Sequence, residues 1–124
     1  MEESLFKQVG GEAFFEQLVN AFYDAVKLDD TLRPMYPEDL TGPRRHLTLF
    51  LVQYWGGPGT YQEERGHPRL RMRHVPFRIT KSARDAWLVA MGTALTSVRD
   101  QLRDEQYEEL TSYFLMVANQ LRNV

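Results

Sequence analysis

The sequence contains no cysteine, which excludes disulfide frameworks, zinc–thiolate sites and thiol catalysis and fits a reducing compartment. No apolar run approaches the eighteen residues that a membrane span needs. The N-terminal MEESLFKQVGGEAFF opens acidic and lacks the basic region and apolar run of a signal peptide, so a cytoplasmic protein is expected. Phosphate loops and nucleophile motifs are missing, and nothing alternates with period two long enough to make a convincing strand. Histidine is scarce too. His46, His67 and His74 are the only three, so imidazole chemistry has few candidates, and their spacing is too wide for a typical zinc site.

What is present is a local excess of positive charge. The formal net charge is -2, yet HPRLRMRHVPFRI, His67 to Ile79, carries +4 from Arg69, Arg71, Arg73 and Arg78 with no acid among them, leaving -6 for the rest. A general nucleic-acid binder would be basic throughout, so a site for a small anionic group is the better reading, with neither nucleic acid nor membrane as partner. At 124 residues the chain suits one domain, 1–124, with a core that needs no disulfides.

The apolar spacing predicts an all-α fold. From Glu12 to Asp29, residues Phe14, Phe15, Leu18, Val19, Phe22 and Val26 recur at three and four residues, with Tyr23 along the same stripe. Pro34 and Pro37 allow only a short helical turn in TLRPMYPEDL. A second helix starts near Pro43, suited to a first helical position, and runs through Leu47, Phe50, Leu51, Tyr54 and Trp55 until GGPG stops it. A third follows the expected N-cap Thr80, with Trp87, Leu88, Met91, Ala94, Leu95 and Val98 on one face. The fourth, from about Asp104, carries Tyr107, Leu110, Phe114, Val117, Ala118 and Leu121. Between them, Gly56 to Ile79 is a segment of 24 residues with three prolines and four glycines. Leu70, Met72, Val75, Phe77 and Ile79 are too apolar for a solvated linker, so this segment is expected to pack, in part on a bound group.

His74 is the candidate around which such a group forms. It follows Leu-x-Met, precedes Val75 and Phe77, and lies among cations. That is a setting for an axial haem ligand, with neutral imidazole to iron, apolar residues against the porphyrin and Arg71 or Arg73 available to the propionates. Tyr23, Tyr36 and Trp87 combine apolar bodies with hydrogen-bond donors and could form the opposite, distal wall. Three converging donors would hold a polar diatomic ligand tightly and release it slowly. Each of the three also reads as an ordinary core aromatic.

The string QYWGGPGTYQEERGHPRLRMRHVPFRI, with ARDAWL, FYDAV and MYPEDL, resembles the truncated haemoglobins of group II over nearly the whole chain. These are small globins with a two-over-two helical sandwich around a haem. The resemblance implies haem b with His74 as the proximal iron ligand and Tyr23, Tyr36 and Trp87 as the distal hydrogen-bonding set. It further implies that Arg73 and Tyr61 meet the propionates, while Leu47, Phe50, Met72, Phe77, Ile79 and Trp87 line the haem. The chain departs from the group in a link after Tyr36 one residue shorter, in Pro43 for a small alanine, in His46 for an arginine, and in Gly59 for a polar or basic residue.

The reading is reversible binding of dioxygen and other diatomic ligands, with a homodimer as a candidate assembly. One alternative is a haem-dependent peroxidase or nitric oxide dioxygenase supplied with electrons by a reductase. Another is a cofactor-free helical module whose Arg71–Arg78 patch grips nucleic acid or an acidic partner. An absorption spectrum separates the last from the others: protein supplied with haem is expected to show a Soret band, and His74→Ala to abolish iron-coordinated binding. A salt-sensitive affinity for nucleic acid without any Soret band would be the opposite result.

Overall fold

The computed structural model describes residues 3–124, all of whose regular structure is helical. The helices are α1 (Leu5–Gln8), α2 (Glu12–Lys27), α3 (Thr41–Tyr54), α4 (Thr60–Arg65), α5 (Leu70–His74), α6 (Lys81–Ser97) and α7 (Asp104–Leu121), with 3-10 turns at Arg33–Met35 and Arg99–Gln101. The four long helices are α2, α3, α6 and α7. Packing runs from α3 to α2, from α2 to α6 and from α6 to α7.

The α2 stripe forms the centre of the core. Phe15, Leu18, Val19, Phe22 and Val26 are wholly buried, each contributing about 1.5–3 kcal/mol by leaving water. On the facing side of α6, Ala90 and Ala94 are buried small residues that give α2 room, and Met91 and Leu95 fill the flanks. Along α7 the buried positions are Leu110, Phe114, Val117 and Ala118, joined by Tyr113 and by Gln106. Gln106 accepts from the Arg103 backbone N–H at 2.9 Å, opening α7, and donates to Gln8 of α1 at 3.1 Å, so its burial leaves no amide unpaired.

Local signals decide the ends of these elements. Thr80 caps α6 as expected, its hydroxyl accepting from Ala83 N–H at 3.1 Å. Helix α3 begins two residues before Pro43, because Asp39 Oδ1 accepts from Thr41 N–H at 2.9 Å and satisfies one of the free first-turn donors. Three short helices fall outside the long apolar patterns. Single-turn α1 is capped by Ser4, and α4 and α5 both lie within the proline- and glycine-rich segment.

Helix α1 explains the two glycines after Trp55. Phe6 N–H donates to Trp55 O at 3.0 Å, drawing α1 across the end of α3. A Cβ on Gly57 would stand 2.6 Å from Val52 Cγ1 and 2.9 Å from the Phe6 ring. Gly42, by contrast, lies in the first turn of α3 with nothing within 4 Å of that position. Thermal unfolding is expected to show Gly57→Ala less stable by roughly 1–3 kcal/mol. Gly42→Ala is expected to be more stable by about 0.5–1 kcal/mol, the backbone entropy of a helical glycine.

Candidate functional site

A cavity of about 350 Å³ opens between the 3-10 turn at Arg33–Met35, the start of α3, the turn after α5, and the facing sides of α6 and α7. Its wall is largely apolar: Leu32, Met35, Pro37, Pro43, Phe77, Ile79, Ala83, Val117, Ala118 and Leu121. The polar groups in it are few, namely Tyr36, Trp87, His74, Arg65 and Arg84. A mostly apolar hollow with a small set of converging polar groups is the usual form of a cofactor site.

His74 closes helix α5, and its Nδ1 lies 2.6 Å from the carbonyl oxygen of Leu70, one turn back. A carbonyl can only accept, so Nδ1 carries the proton and the lone pair of the neutral ring is left on Nε2. This is the tautomer that a metal-ligating imidazole needs, with its other nitrogen held by a backbone carbonyl. Among the described residues no three His, Cys, Asp or Glu side chains converge on a metal position. A lone imidazole therefore suits a metal that brings ligands of its own, as a porphyrin does.

The turn carrying His74 is fastened to the end of α7 by one side chain. Asn123 Oδ1 accepts from Ile79 N–H at 2.9 Å, and its Nδ2 donates to Phe77 O at 2.9 Å and to His74 O at 3.4 Å. Its backbone N–H donates to Ile79 O at 3.0 Å. Residues 75 to 79 lie outside any helix, so these bonds replace the partners that a regular element would supply.

Tyr36 lies next to each of the other two candidate distal donors. Tyr23 on α2 is buried and meets Tyr36 edge to face at 5.5 Å between ring centroids. Trp87 on α6 packs between Phe22, at 5.3 Å, and Phe114, at 5.9 Å. Tyr36 and Trp87 line the cavity, whereas Tyr23 stands behind Tyr36 and is not part of the wall. Arg33 fixes the connector that presents Tyr36, its guanidinium donating to the carbonyls of Tyr36 (3.4 Å), Pro37 (3.1 Å) and Glu38 (2.9 Å).

The remaining expected contacts fall in several places. Phe77 and Ile79 line the cavity; Leu47, Phe50, Tyr61, Met72 and Arg73 are not in its wall. Met72 is 65% exposed, because a helical step of about 100° per residue turns it nearly opposite to His74. Tyr61 is buried against Phe50 at 5.6 Å, with the guanidinium groups of Arg65 and Arg73 each about 6 Å from its ring. Arg73 holds the turn before α5, donating to Pro68 O and Arg65 O, both at 2.7 Å.

Arg65 and Arg84 are wall residues that spacing did not single out. Arg84 pairs with Asp85 at 2.9 Å and bonds Asn119 at 3.1 Å. Arg65 has no carboxylate partner among the described residues. Its Nη1 sits 3.1–3.2 Å from both ring nitrogens of His46. Burial, followed by the Arg65 and Arg45 charges, lowers the His46 pKa and favours the neutral ring. Pro43, the departure at the start of α3, lines the cavity together with Pro37.

The apolar wall, the imidazole with a free Nε2 and the cation without a counter-charge fit a haem. The bacterial-like globin description matches residues 4–120. The chain belongs to that family. It is 49% identical over 88 residues to the group 2 truncated hemoglobin YjbI of Bacillus subtilis, covering 71% of this chain and 67% of that one. It is 30% identical over 132 residues to the two-on-two hemoglobin-3 of Arabidopsis thaliana, covering 98% and 74%. Among solved structures, the hemoglobin of Thermobifida fusca superposes with a TM-score of 0.95 at 46% identity, covering 98% of each chain. That of Chloroflexus aurantiacus gives 0.94 at 44%, covering 99% and 100%. The chain is a haem-binding truncated globin, and the all-α fold is that of its group II neighbours. Globins of this family bind diatomic ligands such as oxygen.

The pKa values of the distal tyrosines lead to a pH test. Burial pushes the Tyr36 hydroxyl up to about 12, opposed by hydrogen bonding from Trp87. Burial raises Tyr23 further, Tyr36 adds to the rise and Arg44 opposes it. The folded pKa values therefore exceed the unfolded value near 10, so the stability that these phenols contribute is intact below about pH 10 and is lost as pH rises toward 12 and beyond. Ultraviolet titration is expected to show Tyr23 and Tyr36 still protonated at a pH where ordinary phenols ionise. Removing both as phenylalanine is expected to flatten the alkaline fall in stability.

Proposed function

We propose that this truncated globin binds dioxygen reversibly in a hydrogen-bonding distal pocket, acting in the cytoplasm as a single domain. His74 holds the haem iron through Nε2, and the Leu70 carbonyl fixes its ring. Tyr36 and Trp87 donate toward the ligand, and Tyr23 orients Tyr36 from behind. The observation that carries the proposal is that His74, Tyr36 and Trp87 line one apolar cavity. The group proposed is haem b, as the resemblance to group II truncated haemoglobins implies; without cysteine the chain offers no thioether links to a haem. Arg65 is the first candidate for a propionate, since it reaches the cavity without a carboxylate partner; Arg73 and Tyr61 lie beside it.

Haem supplies the iron at which oxygen binds; the chain supplies the donors, the apolar surroundings and the imidazole. A hydrogen bond to a partly charged acceptor is worth about 1.5–3 kcal/mol, or roughly 10- to 150-fold in dissociation rate. Stopped-flow release of oxygen from the reduced holoprotein is therefore expected to accelerate by about that factor in Trp87→Phe and in Tyr36→Phe. Tyr23→Phe, one contact removed from the cavity, is expected to have a smaller effect. Vibrational spectra of the carbon monoxide complex should shift in the same order. Unchanged release and unchanged spectra in all three variants would refute the distal assignment.

A further inference from the structure

Three arginines beside the pocket have no side-chain partner among the described residues. Arg69 precedes α5, Arg71 lies within it, and Arg78 follows the turn behind it; all are exposed. Among the described residues, none of the three side chains forms a salt bridge. Other arginines are engaged: Arg44, Arg45, Arg84, Arg99 and Arg103 meet carboxylates, and Arg33 and Arg73 hold backbone carbonyls. Between the free cations stand two exposed apolar side chains, Met72 at 65% and Val75 at 71% exposure. Arg71 and Val75 are one helical turn apart, and Met72 is nearly opposite to His74. No acid interrupts the stretch from His67 to Ile79.

We propose that this outward face of α5 docks an acidic one-electron carrier protein of the iron–sulfur ferredoxin kind, which reduces the haem held by His74. The proposal rests on the haem-binding reading. An apolar centre edged by unpaired charge matches the anatomy of a small, transient redox encounter. Complementary charge would steer a negative partner to that face and away from the acidic remainder of the chain. Arg71 and Met72 share the five-residue helix α5 with His74, and Arg69 and Val75 adjoin its two ends, so a partner docked there lies within about a helix diameter, 10–12 Å, of the imidazole. In the transfer, one electron leaves the reduced cluster, which becomes oxidised, and enters the haem, which passes from ferric to ferrous. No bond forms or breaks, and no proton moves. A nucleic acid fits less well, because a long polyanion extending beyond three local cations would meet a surface of net negative charge.

The test uses the holoprotein, a plant-type [2Fe–2S] ferredoxin as probe, and the triple variant Arg69→Glu, Arg71→Glu, Arg78→Glu. Binding titrations with the oxidised probe are expected to show an affinity at low ionic strength that falls by about tenfold or more at about 0.15 M salt and is lost in the triple variant. The second-order rate of haem reduction by the reduced probe is expected to drop at least about tenfold in that variant. In the double variant Arg69→Glu, Arg78→Glu, which leaves Arg71 in place, reduction by a small neutral photoreductant, the Soret band and oxygen release should remain as in wild type, while the rate with the reduced probe still falls. Met72→Ala, which keeps the charges, should weaken binding without removing its salt dependence. Binding and reduction that are the same in wild type and the triple variant would overturn the proposal. So would a patch whose loss affects only a DNA duplex or anionic vesicles. A wild-type protein without a Soret band would instead remove the haem reading beneath it.

Discussion

The proximal half of the pocket depends on the amide of Asn123. Five consecutive residues after His74 lie outside any helix and have no neighbouring strand to bond with, yet they include two wall residues, Phe77 and Ile79. Asn123 supplies both an acceptor and a donor to that backbone, across more than forty residues of sequence. The position of the imidazole relative to α6 and α7 follows from that attachment. With the turn pinned to the end of α7, Val117, Ala118 and Leu121 face Phe77 and Ile79 across one cavity.

The distal half is held differently. Tyr36 sits in a connector and not in a helix, and it is placed by an arginine that gathers three successive carbonyls. Trp87 is placed by the packing of α6 between α2 and α7. A rigid helical position and a tethered loop position thus share one hollow, and Tyr23 joins them to the core from behind. The apolar surroundings make each donor count for more than it would in water.

The long helices were legible because large apolar side chains spaced by three and four residues gather on a single face only when the chain is helical. That holds for Phe14 to Val26 and for Leu110 to Leu121. Helices α4 and α5 escaped the same reading because each is too short to display a period, and their local composition of proline and glycine points to a loop. Within the site, His74, Tyr36, Trp87, Phe77 and Ile79 line one cavity. Met72, which the resemblance placed against the haem, is not in that wall and is largely exposed, because the helical step turns it away from His74. Arg65 carries no signal of its own in the sequence, standing one residue after the acidic pair Glu63 and Glu64. Only the placement of α4 beside α3 shows that it reaches the cavity.

Two prolines, Pro37 and Pro43, stand in the cavity wall, one in the connector and one in the first turn of α3. Each has a fixed φ and no N–H, so neither can give way by trading one backbone hydrogen bond for another. Whatever narrows the wall at that place slows entry and exit alike, since a ligand must cross the same barrier in both directions. A donor deeper in the cavity acts on a ligand already inside, so it lengthens residence with little effect on arrival.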